Sequence, residues 1–184
     1  MKVLVIPEDP RLDQYILKPI VERIFADFGK SPRVTVLSNP RLRGVAEALN
    51  PAILADIVAT YPMNDLFLVL VDRDGEGARS AVASARESEH SGRLFVCLAI
   101  EEVEVWMLAI HSETLGVRWR EIRTEVNPKE RFAEPFLQER APRLDAGRGR
   151  AWAMRELGSQ WRGVLDRCPE LKDLKRRIET WLDA

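Results

Sequence analysis

The segment Leu66-Phe67-Leu68-Val69-Leu70-Val71-Asp72-Arg73-Asp74-Gly75-Glu76-Gly77 decides how the chain reads. Its first six residues are apolar without alternation, which is the pattern of a strand covered on both faces and hence central in a sheet. The acidic, glycine-rich continuation marks an abrupt stop. Outward from it, Val3–Ile6, Arg33–Leu37 and Leu94–Ala99 are also short, apolar and bounded by turn residues, so each predicts a strand. Helical patterns fill the gaps, at about 13–28, 41–60 and 77–89. The first carries Ile16, Ile20, Ile24 and Phe28 on one stripe, with Pro19 expected to kink or divide it. In the second, Asn50-Pro51 suggests a break and a new cap. A βαβαβαβ order needs crossover helices and predicts an α/β sandwich with a mainly parallel sheet.

After Ile100 the pattern turns helical, at about 101–111, 128–140, 149–166 and 169–183, with Trp152 and Trp161 expected on one helix. Residues 1–117 then form the α/β core, and 118–184 a helical C-terminal portion packed on it as one globular unit. The net charge of −1 conceals a division along the same line. Residues 1–117 carry 12 basic and 17 acidic side chains, 12 − 17 = −5, and the remainder 16 and 12, 16 − 12 = +4. An acidic half joined to a basic one suits a metal site beside a surface for polyanions.

Several classes are excluded. Two cysteines, Cys97 and Cys168, give no disulfide scaffold, and with His90 and His111 they offer little for zinc. Reduced thiols point to a cytoplasmic setting. No apolar run is long enough to span a bilayer, so no membrane is expected. Met1–Ile6 is too short for a signal-peptide core and reads as the first strand.

Three acidic groups follow predicted strands. Ligands of α/β sheets bind beyond the carboxyl ends of strands, where Asp72 and Asp74 stand. If the backbone stays extended, residues i and i+2 point the same way, so the two carboxylates converge and repel unless a hard cation joins them. The plainer reading is a strand-end turn whose aspartates cap the next helix. Glu8 follows strand one and leaves the same sheet edge, although Glu8-Asp9 also suits a helix N-terminus. Glu101, Glu102 and Glu104 open a nearly apolar helix that includes Trp106. Carboxylates buried there need a dipole, a cation or a proton.

Taken together these residues resemble the Toprim domain of topoisomerases, primases and related nucleases. More narrowly, they resemble small bacterial Toprim-like proteins related to the OLD-type (overcoming lysogenization defect) nucleases. The resemblance rests on Glu8, Asp72-Arg73-Asp74-Gly75, Glu104-Val105-Trp106-Met107-Leu108-Ala109 and Pro128-Lys129, spread over about residues 3–135. Asp9 stands where members have glycine, and the nearest counterpart of a further first-helix acid is Asp13.

The resemblance implies a Toprim-like three-layer sandwich and Mg²⁺- or Mn²⁺-dependent cleavage of DNA or RNA phosphodiesters, in a setting of phage defence. Asp72 and Asp74 would hold metal, Glu104 with Glu101 or Glu102 would complete a second position, and Glu8 would be a ligand or the general acid/base. Lys129 would neutralise a phosphate oxygen, unless it is an ordinary helix-start lysine. The partners so implied are nucleic acid, an ATPase or other defence-system protein, and a second copy of the chain in a homo-oligomer. Two other classes stay in view: a catalytically silent binding or effector subunit, and a nucleotide-sugar enzyme using D-x-D.

Overall fold

The four predicted apolar runs form one sheet in the computed structural model, which describes all 184 residues. β1 (Lys2–Ile6), β2 (Arg33–Val36), β3 (Leu66–Asp72) and β4 (Leu94–Ala99) lie in the order β2-β1-β3-β4, and every neighbouring pair is parallel. Successive side chains of a strand face opposite ways, so each strand feeds two cores. Val3, Val5, Leu66, Leu68 and Leu70 enter one of them, and Leu4, Ile6, Phe67, Val69 and Val71 enter the other. β3 is therefore covered on both faces, and Leu66 to Val71 are fully buried.

α1 (Gln14–Ala26) packs on the first face. On the second lie α2 (Val45–Ala48), α3 (Pro51–Thr60) and α4 (Arg79–Glu89). The expected break at Asn50 is real: its Oδ1 accepts from the amides of Ala52 and Ile53 at 3.0 and 3.2 Å, and Pro51 opens α3. Such a cap contributes about 1 kcal/mol. Pro19 does not divide α1 as expected. Burial of Ile16, Leu17, Ile20, Val21, Ile24 and Phe25 against the sheet outweighs one missing backbone hydrogen bond.

The chain after β4 joins the first face. It comprises α5 (Glu104–Ile110), α6 (Trp119–Thr124), a π-helical turn (Lys129–Ala133), α7 (Glu134–Arg140), α8 (Arg150–Ala153), a 3₁₀ turn (Met154–Glu156), α9 (Leu157–Arg167) and α10 (Pro169–Leu182). α6 has no counterpart among the expected helices. The expected 149–166 helix is divided at the 3₁₀ turn, and its two tryptophans serve different partners. Trp152 stacks on His111 at 5.8 Å, while the Trp161 Nε1 donates to Asp27 at 2.8 Å. One continuous core holds residues as distant as Val3 and Ile178, so residues 118–184 complete the sandwich. No helix is long and apolar enough to cross a membrane.

The layering fixes where a ligand can sit. The chain leaves β1 for α1 on one face, and leaves the adjacent β3 for α4 on the other. Neighbouring strands whose continuations part in this way open a crevice at their carboxyl ends. Glu8 and Asp72 stand at that crevice.

Candidate metal centre at the carboxyl edge of the sheet

Four carboxylates share the crevice, each delivered by a different element. Glu8 follows β1, Asp13 stands just before α1, Asp72 ends β3 and Glu104 opens α5. Burial pushes the Asp72 carboxyl up to about 9, helped by the charges of Glu8, Glu104 and Asp13 and opposed by the Val103 amide, which donates to Oδ1 at 2.8 Å. Asp13 is pushed up to about 7 by burial, then by Glu104, Asp9 and Glu8, against a 2.9 Å bond from the Asp9 amide. Glu8 is raised chiefly by burial and next by Asp74, while Arg79 and Lys129 oppose the rise. Its Oε2 is buried without any hydrogen-bond partner. A buried acceptor left open in this way costs about 1–3 kcal/mol. Glu104 is only 2% exposed and is met at 2.5 Å by the equally buried Arg150 guanidinium.

Asp74 departs from the sequence reading. The strand stops at Asp72, and Asp74 takes the left-handed conformation at φ 47°, so the extended backbone needed for i, i+2 convergence does not persist. Its exposed carboxylate pairs with Arg79 Nη1 at 2.6 Å. That guanidinium also donates to the Asp72 and Arg73 carbonyls, at 3.3 and 2.6 Å, and so locks the turn. Asp74 still lies near enough to Glu8 to raise its pKa.

Glu101, expected among the metal ligands, is instead spent on the same turn. It pairs with the Arg73 guanidinium and accepts from the Gly75 amide. Burial alone would raise its pKa, but those bonds and the Arg73 and Arg123 charges hold it below the ordinary value. Glu102 accepts from the Lys129 amide at 2.6 Å and thereby fixes where the π-helical turn begins. Burial, ahead of Glu104 and Glu130, pushes Glu102 up to about 7, against that bond and the Lys129 charge.

Lys129 stands beside the acids as expected. No carboxylate lies within 4 Å of its ammonium, so it makes no ion pair of its own. Burial and Arg150 lower its pKa, yet Glu104, Glu102 and Asp13 hold it above the usual lysine value.

Two members of this site have weak signals in the sequence. Asp13 looks like any helix-capping aspartate. Arg150 looks like one more arginine of the basic half, and its partner Glu104 lies 46 residues away. Neither residue carries a local pattern that announces the pairing.

The donor set is all oxygen, which suits Mg²⁺ or Mn²⁺ over softer ions. As positioned, no three His, Cys, Asp or Glu side chains lie close enough together to hold a metal ion. A cleft of about 410 Å³ runs along the edge strand β2 between Lys2, Arg33 and Tyr61, and contains none of these acids. Comparison of the chain with protein-family models, curated proteins and solved structures finds no match.

Proposed function

We propose that the acidic crevice binds Mg²⁺ or Mn²⁺ and cleaves phosphodiester bonds of nucleic acid. The observation that carries this reading is the gathering of Glu8, Asp13, Asp72 and Glu104 at the β1/β3 crevice, with Glu8 Oε2 buried and unbonded. Carboxylates forced together need either protons or a cation, and the open Glu8 oxygen leaves a coordination position to fill. Asp72 and Asp13, with Glu8 where it acts as a ligand, would have to draw closer than they stand in the metal-free chain to hold the ion, with Glu104, paired to Arg150, as further support. When bound, such an ion stabilises charge on a phosphate and lowers the pKa of water.

The chain's own groups supply the rest. Lys129, uncommitted and charged, is placed to neutralise a non-bridging phosphate oxygen. Where Glu8 is not a ligand, its raised pKa and free oxygen suit it instead to move a proton at the scissile oxygen. The Arg73–Glu101 and Arg79–Asp74 pairs keep the turn that carries Asp72 in one shape. These assignments follow the resemblance to Toprim-like nucleases at Glu8, Asp72, Glu104 and Lys129 and depart from it at Asp74, which is paired with Arg79.

The test is cleavage of labelled DNA and RNA, in single and double strands, with Mg²⁺ or Mn²⁺. We expect cutting that chelation abolishes and that Asp72→Asn reduces by at least about a hundredfold. A wild-type protein that cuts none of these substrates with either ion defeats the proposal. One observation favours a second reading. The acids are not closed to chelating distance, which suits a binding or effector subunit whose partner, such as an ATPase, completes the site. That reading predicts metal and nucleic-acid binding without turnover until the partner is added.

A further inference from the structure

Residues 141–149 form a closed loop that the proposed chemistry leaves unused. Its two ends touch: a Cβ on Gly149 would lie 2.4 Å from that of Ala141. Inside, the Asp145 amide donates to the Pro142 carbonyl at 3.0 Å, and the Asp145 carboxylate accepts from the Trp152 amide at 2.7 Å. Gly147 lies so tightly on the Tyr15 ring that a Cβ there would meet it at 2.3 Å. The loop is thus tied down at its base and middle. Its tip nevertheless holds Leu144 at 100% exposure, against 71% for Met63, the next most exposed large apolar side chain.

The loop's own exposed charges are of one sign. Arg143 and Arg148 are exposed and make no ion pair, whereas the loop's single acid, Asp145, is turned inward. The loop also abuts the acidic crevice. The Arg150 guanidinium donates to the Gly147 carbonyl at 3.3 Å and to Glu104 at 2.5 Å, so one side chain joins the loop base to the acids. Tyr15, beneath Gly147, is two residues from Asp13.

We propose that this loop is a nucleic-acid finger, in which Leu144 wedges between bases while Arg143 and Arg148 hold the flanking phosphates. Apolar wedges flanked by basic side chains unstack base steps in this way. A strand lying over the acidic edge would run onto the finger. One leucine and two arginines anchor a bilayer only weakly, whereas a base step is a slot the width of one side chain. The inference rests on the proposal that nucleic acid is the substrate of the crevice.

The experiment measures binding of fluorescent duplex and single-stranded DNA and RNA, with Ca²⁺ in place of Mg²⁺ and 2-aminopurine as an unstacking reporter. Leu144→Ser, which removes no packed contact, should weaken binding about tenfold and abolish the 2-aminopurine signal. Its salt dependence should stay as in the wild type. Arg143→Gln with Arg148→Gln should instead make the slope of log K against log salt shallower by about 1.8 on duplex. Leu144→Ser that binds and unstacks like the wild type overturns the finger. So does a wild type whose Leu144 drives binding to anionic vesicles and not to nucleic acid. If the wild type still cuts with Mg²⁺ in those cases, the nuclease proposal stands alone. A wild type that neither binds nor cuts nucleic acid removes both.

Discussion

Replacing Asp72 by asparagine should stabilise the metal-free protein while disabling it. In the folded chain the carboxyl is pushed up to about 9 from an ordinary 3.8, by burial first and then by the charges of Glu8 and Glu104. The unfolded chain releases this proton near pH 3.8, and the folded chain keeps it until about pH 9. Below 3.8 both states are protonated and nothing is lost. As pH rises through that window, stability falls by about 1.4 kcal/mol per pH unit, or about 4 kcal/mol by pH 7.

Asparagine carries no charge to lose, and its Oδ1 can still accept the Val103 amide that Asp72 accepts at 2.8 Å. Urea unfolding in EDTA should therefore show matching stabilities at about pH 4 and an advantage for Asp72→Asn at pH 7 that approaches the same ~4 kcal/mol. Added Mg²⁺ or Mn²⁺ should stabilise the wild type by mass action and leave the variant nearly unmoved. A variant no more stable than the wild type at pH 7 would show that Asp72 is not held against the other acids, and the electrostatic account of the crevice would fail.

Two further outcomes follow from the ion pairs around the site. Arg150→Met strands Glu104 in a position 2% exposed, so unfolding should show a loss of about 3–5 kcal/mol, with most of it recovered in Arg150→Met/Glu104→Gln. A single-variant loss under about 1 kcal/mol would mean that the pair is not buried as described. Glu101→Gln removes the charge from the bonds to Arg73 and Gly75 and should cost about 2 kcal/mol at pH 7. Because the Glu101 pKa is lowered in the folded state, that contribution is present above 4.5 and fades as pH falls through the folded value. The gap between variant and wild type should accordingly close in acid, and a gap that persists there would assign the effect to lost packing.

The chain by itself determined the sheet, for a local reason. Strand and crossover-helix signals reside in runs of a few residues, and the unbroken apolar run of β3 can only be buried on both faces. Parallel strands must also end on one edge, so the shared edge of Glu8, Asp72 and the glutamates after β4 is legible in the sequence. The division into an acidic and a basic half was legible too, but not its use. Only the tertiary structure decided which acids meet. A left-handed Asp74 turns its carboxylate to Arg79, and Glu101 is consumed by Arg73 and Gly75. Asp13 and Arg150 enter instead, through packing of α1 against α8 and through the pairing of Arg150 with Glu104, 46 residues away. Side-chain pairing at that separation depends on how helices dock on the sheet, and no short-range pattern in a single sequence encodes it.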